Sequence, residues 1–206
     1  MNARLPRHRL AWGAVGFLWL SACAPSSVYV SNTLGNLHKV AVLLVSNDTN
    51  DLDGPGLVRG ILFRKLSERG YDLVPLNDID AKLKEQGFTD GGQLRAATPQ
   101  QLGQWIGADT LFYITLEEFN YINVGFYWQR KVKIAGKLVE AKTGERLWEA
   151  ERNWSTQAVV TNKEQAERQF AFQLAAKAFE KMTHLPLQAE SQMAAERLLS
   201  TLPYRH

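Results

Sequence analysis

Apolar positions along this chain switch repeatedly between a continuous run, a helical period and a strict alternation, and the switches mark the elements. Val40 to Val45, in HKVAVLLV, form a continuous apolar run and predict a strand buried on both faces. SNDTNDLDGPG follows as a loop dense in turn formers. In GLVRGILFRKLSERG, Val58, Ile61, Leu62 and Leu66 share one helical face, while Arg59, Lys65, Glu68 and Arg69 fall elsewhere. Gly70 stands where a helix C-terminal cap is expected. YDLVPL predicts a second strand, ended at Pro75. NDIDAKLKEQG predicts a helix capped by Asn77 or Asp78 and closed by Gly87. TPQQLGQWIG predicts a short third helix with Thr98 as N-cap and Pro99 at its first position.

ADTLFYITLEEFNYI and FYWQRKVKIAGKLVEAKTG then predict two long strands. In the second, Arg130, Val132, Ile134 and Leu138 alternate with Lys131, Lys133, Ala135 and Lys137, so one face is mostly apolar and the other solvated. A turn at Lys142 to Gly144 leads into KTGERLWEAERNW, the third strand of a meander. KEQAERQFAFQLAAKAFEKM predicts a long amphipathic helix with a stripe of Ala171, Leu174, Ala175, Ala178 and Met182, flanked by Phe172 and Phe179. A short coda, AERLLSTLPYRH, closes the chain. The order β-α-β-α-α-β-β-β-α predicts an α/β (α+β) fold. Its sheet is mixed, with a parallel start and an antiparallel three-strand meander, and helices flank it.

The amino-terminal stretch follows a different logic. Arg4, Arg7, His8 and Arg9 make a basic start without an acid, and Leu10 to Leu20 run uncharged. That run is too short to cross a bilayer, which takes roughly 20 apolar residues, and has the length of a signal-peptide core. Leu20, Ser21, Ala22 and Cys23 follow, and Cys23 is the chain's only cysteine. These four residues resemble the bacterial lipobox, which implies cleavage between Ala22 and Cys23 and acylation of Cys23 by palmitate-type chains. An ordinary secretory signal and an uncleaved anchor are the competing readings. The basic start, the apolar run and the four correctly filled positions favour lipidation. The expected organisation is a signal peptide at 1–22, a lipidated terminus and tether at 23–37, and one periplasmic domain at 38–206. Several acyl chains at one terminus give stable anchoring where a single chain is marginal. Residue 24 is Ala rather than Asp, which by resemblance to Gram-negative lipoproteins implies the outer membrane. The partner expected first is therefore membrane lipid.

Charge removes one class of function. The chain carries 24 Lys and Arg against 21 Asp and Glu, a net charge of +3, and residues 1–22 hold Arg4, Arg7 and Arg9 and no acid. Loss of those three arginines brings the net charge to zero, so the basic precursor is no argument for nucleic acid. A hydrophobic content of 45% is that of a folded protein rather than of a disordered tether.

Candidate chemistry is sparse. GPGLVRG, with Asp78 further on, imitates a dinucleotide fingerprint, but Ser46 to Asp53 intervene between strand and glycines where the fingerprint turns directly. Asp48, Asp51 and Asp53 would also repel a pyrophosphate at that helix start. A glycine-rich turn that lets the helix pack closely on the sheet is the simpler reading. The same acids make a candidate loop site for a cation. Yet an EF-hand alignment puts Thr49 first and Gly60 last, where a bidentate glutamate belongs. His38, His184 and His206 have no triad pattern around them, and Glu117 and Glu118, adjacent on a strand, point to opposite faces. No catalytic residue, metal or cofactor is expected. Phe119, Tyr121, Phe126, Tyr127 and Trp128 gather where two long strands turn around, and form either an exposed patch for a partner or second copy, or a cluster covered by a helix.

The ordered set of lipobox, KVAVLLV, DGPGLVRGILFRKLSERGYDLVP, GADTLFYIT, GKLVEAKTGERLWEAE and AAERLLSTLP resembles an uncharacterised family of bacterial outer-membrane lipoproteins that includes a neisserial surface-antigen candidate. The resemblance implies a fold similar to the amino-terminal domain of TolB and to CsgG and LpoB. It also implies a non-enzymatic accessory in an envelope transport or secretion assembly, beside a CsgG-like protein. The alternatives it leaves are an LpoB-like regulator of peptidoglycan synthesis and a periplasmic protein binding a small ligand or cation. Only Cys23 transfers as a functional position. Where relatives carry a Gly/Leu-rich stretch, this chain reads VVTNKEQAERQFAF, which is charged.

Overall fold

A computed structural model describes residues 28–36, 38–124, 127–159 and 187–205. Its strands are β1 (Val28–Val30), β2 (Val40–Val42), β3 (Ser46–Asn47), β4 (Thr110–Asn123), β5 (Tyr127–Glu140) and β6 (Arg146–Val159). Its helices are α1 (Gly54–Glu68), α2 (Leu76–Glu85), α3 (Pro99–Ile106) and α4 (Gln188–Leu199). Short 3-10 helices cover Asn32–Asn36 and Gly91–Ala96. The sheet runs β1-β6-β5-β4-β2, and β3 also pairs with β4. Pairing of β2 and β3 with β4 is parallel, and that of β4, β5, β6 and β1 is antiparallel. The mixed sheet with a parallel start and an antiparallel meander is thus present as the periodicity predicts.

Two apolar cores sandwich the parallel end. Val40, Val42 and Val45 face α1 and α4, together with Phe112, Ile114, Ile134, Leu138 and Trp148. Ala41 and Leu43 face the other side, with Ile79, Leu83, Leu102 and Ile106 of α2 and α3. The run Val40 to Val45 is accordingly buried on both faces, although it breaks after Val42 instead of forming one strand. Beyond β4, among the described residues, the first face carries the core. There Val132, Ile134 and Leu138 are buried while Lys131, Lys133, Ala135 and Lys137 lie on the half-exposed side, so the alternation in β5 holds. Thr98 caps α3 in a capping box with Gln101, Pro99 opens it, and Gly70 and Gly87 follow α1 and α2 in the left-handed region.

Four expectations need correction. YDLVPL makes only one parallel bridge, Val40 to Leu73, because Pro75 has no N–H to extend a ladder and α2 starts at Leu76. For the same reason the cap of α2 is Pro75 rather than Asn77 or Asp78. Residues 28–36, read as tether, instead enter the fold. Val28 to Val30 pair with Ala150 to Trp148, the Tyr29 ring lies under the Arg146 guanidinium, and Leu34 is buried. Such an edge pairing uses backbone groups that every residue carries, so composition does not reveal it. The first five residues of the coda, Ala195 to Leu199, end α4, whose Ala194, Ala195, Leu198 and Leu199 are completely buried. The long helix read over 163–182 lies outside the described residues.

Arg59 and Arg69 fall off the apolar helical face in the sequence and are nonetheless buried. Arg59 Nε and Nη2 donate to the Val42 carbonyl at 3.1 and 3.0 Å, and Nη1 reaches Asp80 Oδ1 at 2.6 Å. It thereby satisfies a carbonyl where β2 ends, a group that is expensive to leave unpaired in a core. Arg69 Nη1 donates to the carbonyls of Leu199 and Leu202, and Nη2 to Glu196 Oε1 at 2.8 Å. A cation at the carboxyl end of α4 opposes the helix dipole favourably. Lys65, bonded to Glu196 at 2.6 Å, is the main cause holding that carboxyl below its usual range.

One glycine is demanded by close approach. A Cβ on Gly91 would lie 2.2 Å from the Val45 carbonyl carbon and 2.3 Å from the Ser46 nitrogen, both backbone atoms that cannot swing aside. Gly91→Ala is expected to lower stability by about 2–3 kcal/mol, as overpacked cores do. The urea midpoint reports it, and an unchanged midpoint means the 3-10 helix does not seat against β3 in this way.

Candidate functional site

The long β4-β5 hairpin and the end of β6 make one extremity of the sheet, where Asn123 pairs with Trp128 and Tyr127 with Val159. The aromatic residues singled out there part company. Phe119 turns inward and is buried in the main core, and Trp128 is buried as well. Tyr121 is exposed, with the Arg130 guanidinium 5.5 Å from its ring centroid, and Tyr127 is half-buried. Phe126 lies outside the described residues, as do Ala22 and Cys23. As a surface patch the group therefore loses Phe119 and Trp128. Three aliphatic residues that the sequence reading missed join the exposed surface: Ile122, Val124 and Val159. The signal that could have found them is the absence of any charge from Phe119 to Gln129 and from Asn153 to Val159.

Below this uncharged end lies a belt of ion pairs. The ladder shifts between Leu116 and Glu118, so Leu116 pairs with Ile134 and Glu118 with Lys133, and Glu117 is the extra residue. Contrary to the expectation of opposite faces, the bulge sends both carboxylates to lysines on one face. Glu118 lies 2.8 Å from Lys131 Nζ, and Glu117 lies 2.8 Å from Lys133 Nζ, which also meets Glu151 at 2.7 Å. The hydrogen bond to Glu117, then that to Glu151, raises the pKa of Lys133 and keeps it charged. These carboxylates are occupied as counterions and are not disposed as an acid–base pair. On the covered face, Arg130 Nε lies 2.9 Å from Glu190 Oε1, and both side chains are largely buried. This pair ties the hairpin to α4.

The acidic loop is organised around its own backbone. Asp51 Oδ1 accepts from the Asp53 and Gly54 N–H groups at 3.0 and 2.6 Å, and so sits at the amino end of α1. That carboxylate already fills the position a phosphate would take. Asn47 Oδ1 accepts from the Thr49 N–H and hydroxyl, and Asn47 Nδ2 donates to the Asp51 carbonyl. Asp48 and Asp53 are exposed. A Cβ on Gly54 would meet Leu116 at 2.9 Å and Phe119 at 3.2 Å, so this glycine serves the close packing of helix on sheet. Among the described residues no group of three or more His, Cys, Asp or Glu is placed to hold a metal ion.

At the opposite extremity, a cleft of about 760 Å³ is bounded by His38, Gln104, Asp109, Glu140 and Glu145. Glu140 accepts from the Thr143 hydroxyl at 2.5 Å, and Glu145 accepts from Ser31 Oγ at 3.2 Å. A second cleft of about 500 Å³ holds Tyr113, whose burial raises the pKa of its hydroxyl, with Lys137 Nζ 5.3 Å from the ring centroid.

A family described as "Putative lipoprotein GNA1162-like" matches residues 32–203. The protein named "Putative lipoprotein NMB1124/NMB1162", from Neisseria meningitidis serogroup B, is 29% identical over 143 residues. That alignment spans 68% of this chain and 66% of the relative, just under two thirds of its length. Among solved structures, lipoprotein GNA1162 from Neisseria meningitidis superposes with a TM-score of 0.55 at 22% identity, over 68% of this chain and 98% of the other. The PelC dodecamer from Paraburkholderia phytofirmans gives 0.53 at 14% identity, over 88% and 98%. At these identities the two structures establish the fold alone.

Proposed function

Given that this chain belongs to the GNA1162-like lipoprotein family, we propose that it is an outer-membrane lipoprotein, acylated at Cys23, whose αβ domain is a non-enzymatic accessory in an envelope transport or secretion assembly. One observation carries the reading: the complete LWLSAC motif lies immediately before the fold, since only Ala24 to Ser27 separate Cys23 from β1. The non-enzymatic part is supported by how the ionisable groups are used. Glu117, Glu118, Glu190 and Glu196 are paired with cations, Asp80 with Arg59, and Asp51 caps a helix.

The spacing also bears on a regulator that must cross the peptidoglycan. Five residue steps from Cys23 to Val28 reach about 17 Å at full extension, which keeps the domain at the membrane surface. That is too close for such a role and suits a partner in the same membrane.

The test is metabolic labelling with a palmitate analogue and membrane fractionation, for wild type and Cys23→Ser. Label and outer-membrane localisation in wild type, both lost in the variant, are expected. An unlabelled wild-type chain retires the anchor, and crosslinked purification that recovers no envelope protein retires the accessory role.

A further inference from the structure

We propose that the uncharged extremity of the sheet, Tyr121, Ile122 and Val124 on the β4 side with Val159 at the end of β6, seats in the same lipid surface that holds the acylated Cys23. This rests on the acylation proposed above. Three independent observations converge on it.

The first is direction. Val28 pairs with Ala150 and Val30 with Trp148, so towards its amino terminus β1 heads along β6 to Val159. The chain thus leaves the fold pointing at the hairpin end and away from the cleft at His38 and Lys142. The second is reach. Nine residue rows separate Ala150 from Val159, about 30 Å of strand. Cys23 lies no more than about 17 Å from Val28. With the linker fully extended in the strand direction, the extremity leads the lipid attachment point by about 13 Å, and by more with a less extended linker. An apolar face that rests on a bilayer enters about 5–10 Å into the headgroup and acyl boundary, which is the same scale.

The third is chemistry. Tyr121, Ile122, Val124 and Val159 are 44%, 42%, 58% and 55% exposed, although three of them are aliphatic. No charged residue occurs from Phe119 to Gln129 or from Asn153 to Val159. Tyr121 and Tyr127 bring amphipathic rings of the kind enriched at membrane interfaces. Charge begins with Arg130, opposite Tyr121, continues with Lys131 in the next row, and reaches Glu118 three rows and Arg152 four rows in from Arg130. An uncharged end with exposed aliphatic residues and tyrosines, followed inward by a charged belt, is what a lipid surface selects. A second copy of the chain would instead leave no reason for the acyl anchor to be aimed at the same end.

Single-cysteine variants of the full lipidated chain test this. Val124→Cys and Val159→Cys lie at the extremity, and Lys142→Cys lies in the turn at the opposite end. Each is labelled with a nitrobenzoxadiazole maleimide and reconstituted in vesicles of phosphatidylethanolamine and phosphatidylglycerol with doxyl lipids. Quenching at 124 and 159 at least about twofold stronger than at 142, with blue-shifted emission, is the expected result. Quenching at 124 and 159 equal to that at 142, in chains that float with the vesicles, overturns the proposal and leaves the anchor intact. A blue shift without lipid quenching assigns the extremity to a second copy and overturns it as well. Labelling of the wild-type chain at Cys23 shows a free thiol, and removes the anchor and this proposal together. Because both extremity positions are exposed, one just after β4 and the other at the end of β6, misfolding of one variant leaves the other to decide.

Discussion

Trp148→Ala is expected to lower the unfolding free energy by about 4 kcal/mol, the range for truncating a large buried aromatic. Trp148 is completely buried at the middle of the sheet, in the row shared with Val30 of β1 and Leu138 of β5. Its ring meets Phe112 edge-on, with centroids 6.0 Å apart and planes at 63°, a favoured aromatic geometry. Its Nε1–H donates to Thr201 Oγ1 at 2.9 Å, which ties the segment after α4 to the sheet. The alanine variant loses the packing, leaves a cavity and frees Thr201. Domains of this size are stable by about 5–15 kcal/mol, so the loss is a large fraction of the total. Trp148→Phe keeps most of the volume and is expected to lose about 1–2 kcal/mol, mainly the indole hydrogen bond. Urea unfolding followed by circular dichroism measures both. A loss under 1 kcal/mol for alanine would mean that β1, β6 and α4 do not close on this ring.

The second large effect concerns a buried charge. Arg130→Met is expected to cost about 3 kcal/mol, because it removes the cation paired with the Glu190 carboxylate, which is buried beneath the hairpin. Glu190 Oε2 already has no hydrogen-bond partner among the described residues, which removes one means of compensation. The double variant Arg130→Met with Glu190→Leu is expected to return to within about 1 kcal/mol of wild type, since apolar groups of similar volume replace buried ion pairs at little cost. A double-mutant cycle by urea unfolding reads the coupling directly. If the double variant is as unstable as Arg130→Met alone, the penalty comes from lost packing of the arginine stem and not from a stranded charge.

Both residues were visible in the sequence in unequal degree. Trp148 lies in KTGERLWEAERNW, where the meander strand is readable but not the partner ring. Arg130 sits on the apolar side of the β5 alternation, an anomaly whose explanation, Glu190, is 60 positions away in the chain. The candidate site was legible in the same partial way. LWLSAC is a local signal, and so is the uncharged run from Phe119 to Gln129. Which of those residues faces outward follows from the hairpin's register and from what covers its inner face, and this buries Phe119 and Trp128 while exposing Ile122 and Val124.

What the sequence determined by itself was whatever rests on neighbours along the chain: the helical spacing of α1, the N-cap of α3, the alternation in β5 and the continuous run at Val40. Each is set by backbone period or side-chain caps, and so is written locally. The tertiary structure alone decided the edge strand β1, the bulge at Glu117, the burial of Arg59 and Arg69 and the insertion of α4. Edge pairing and bulges are matters of backbone register that side-chain composition does not encode. An arginine goes into a core only where a distant carbonyl or carboxylate waits for its donors, and only the folded chain brings Val42, Leu199 and Leu202 within their reach.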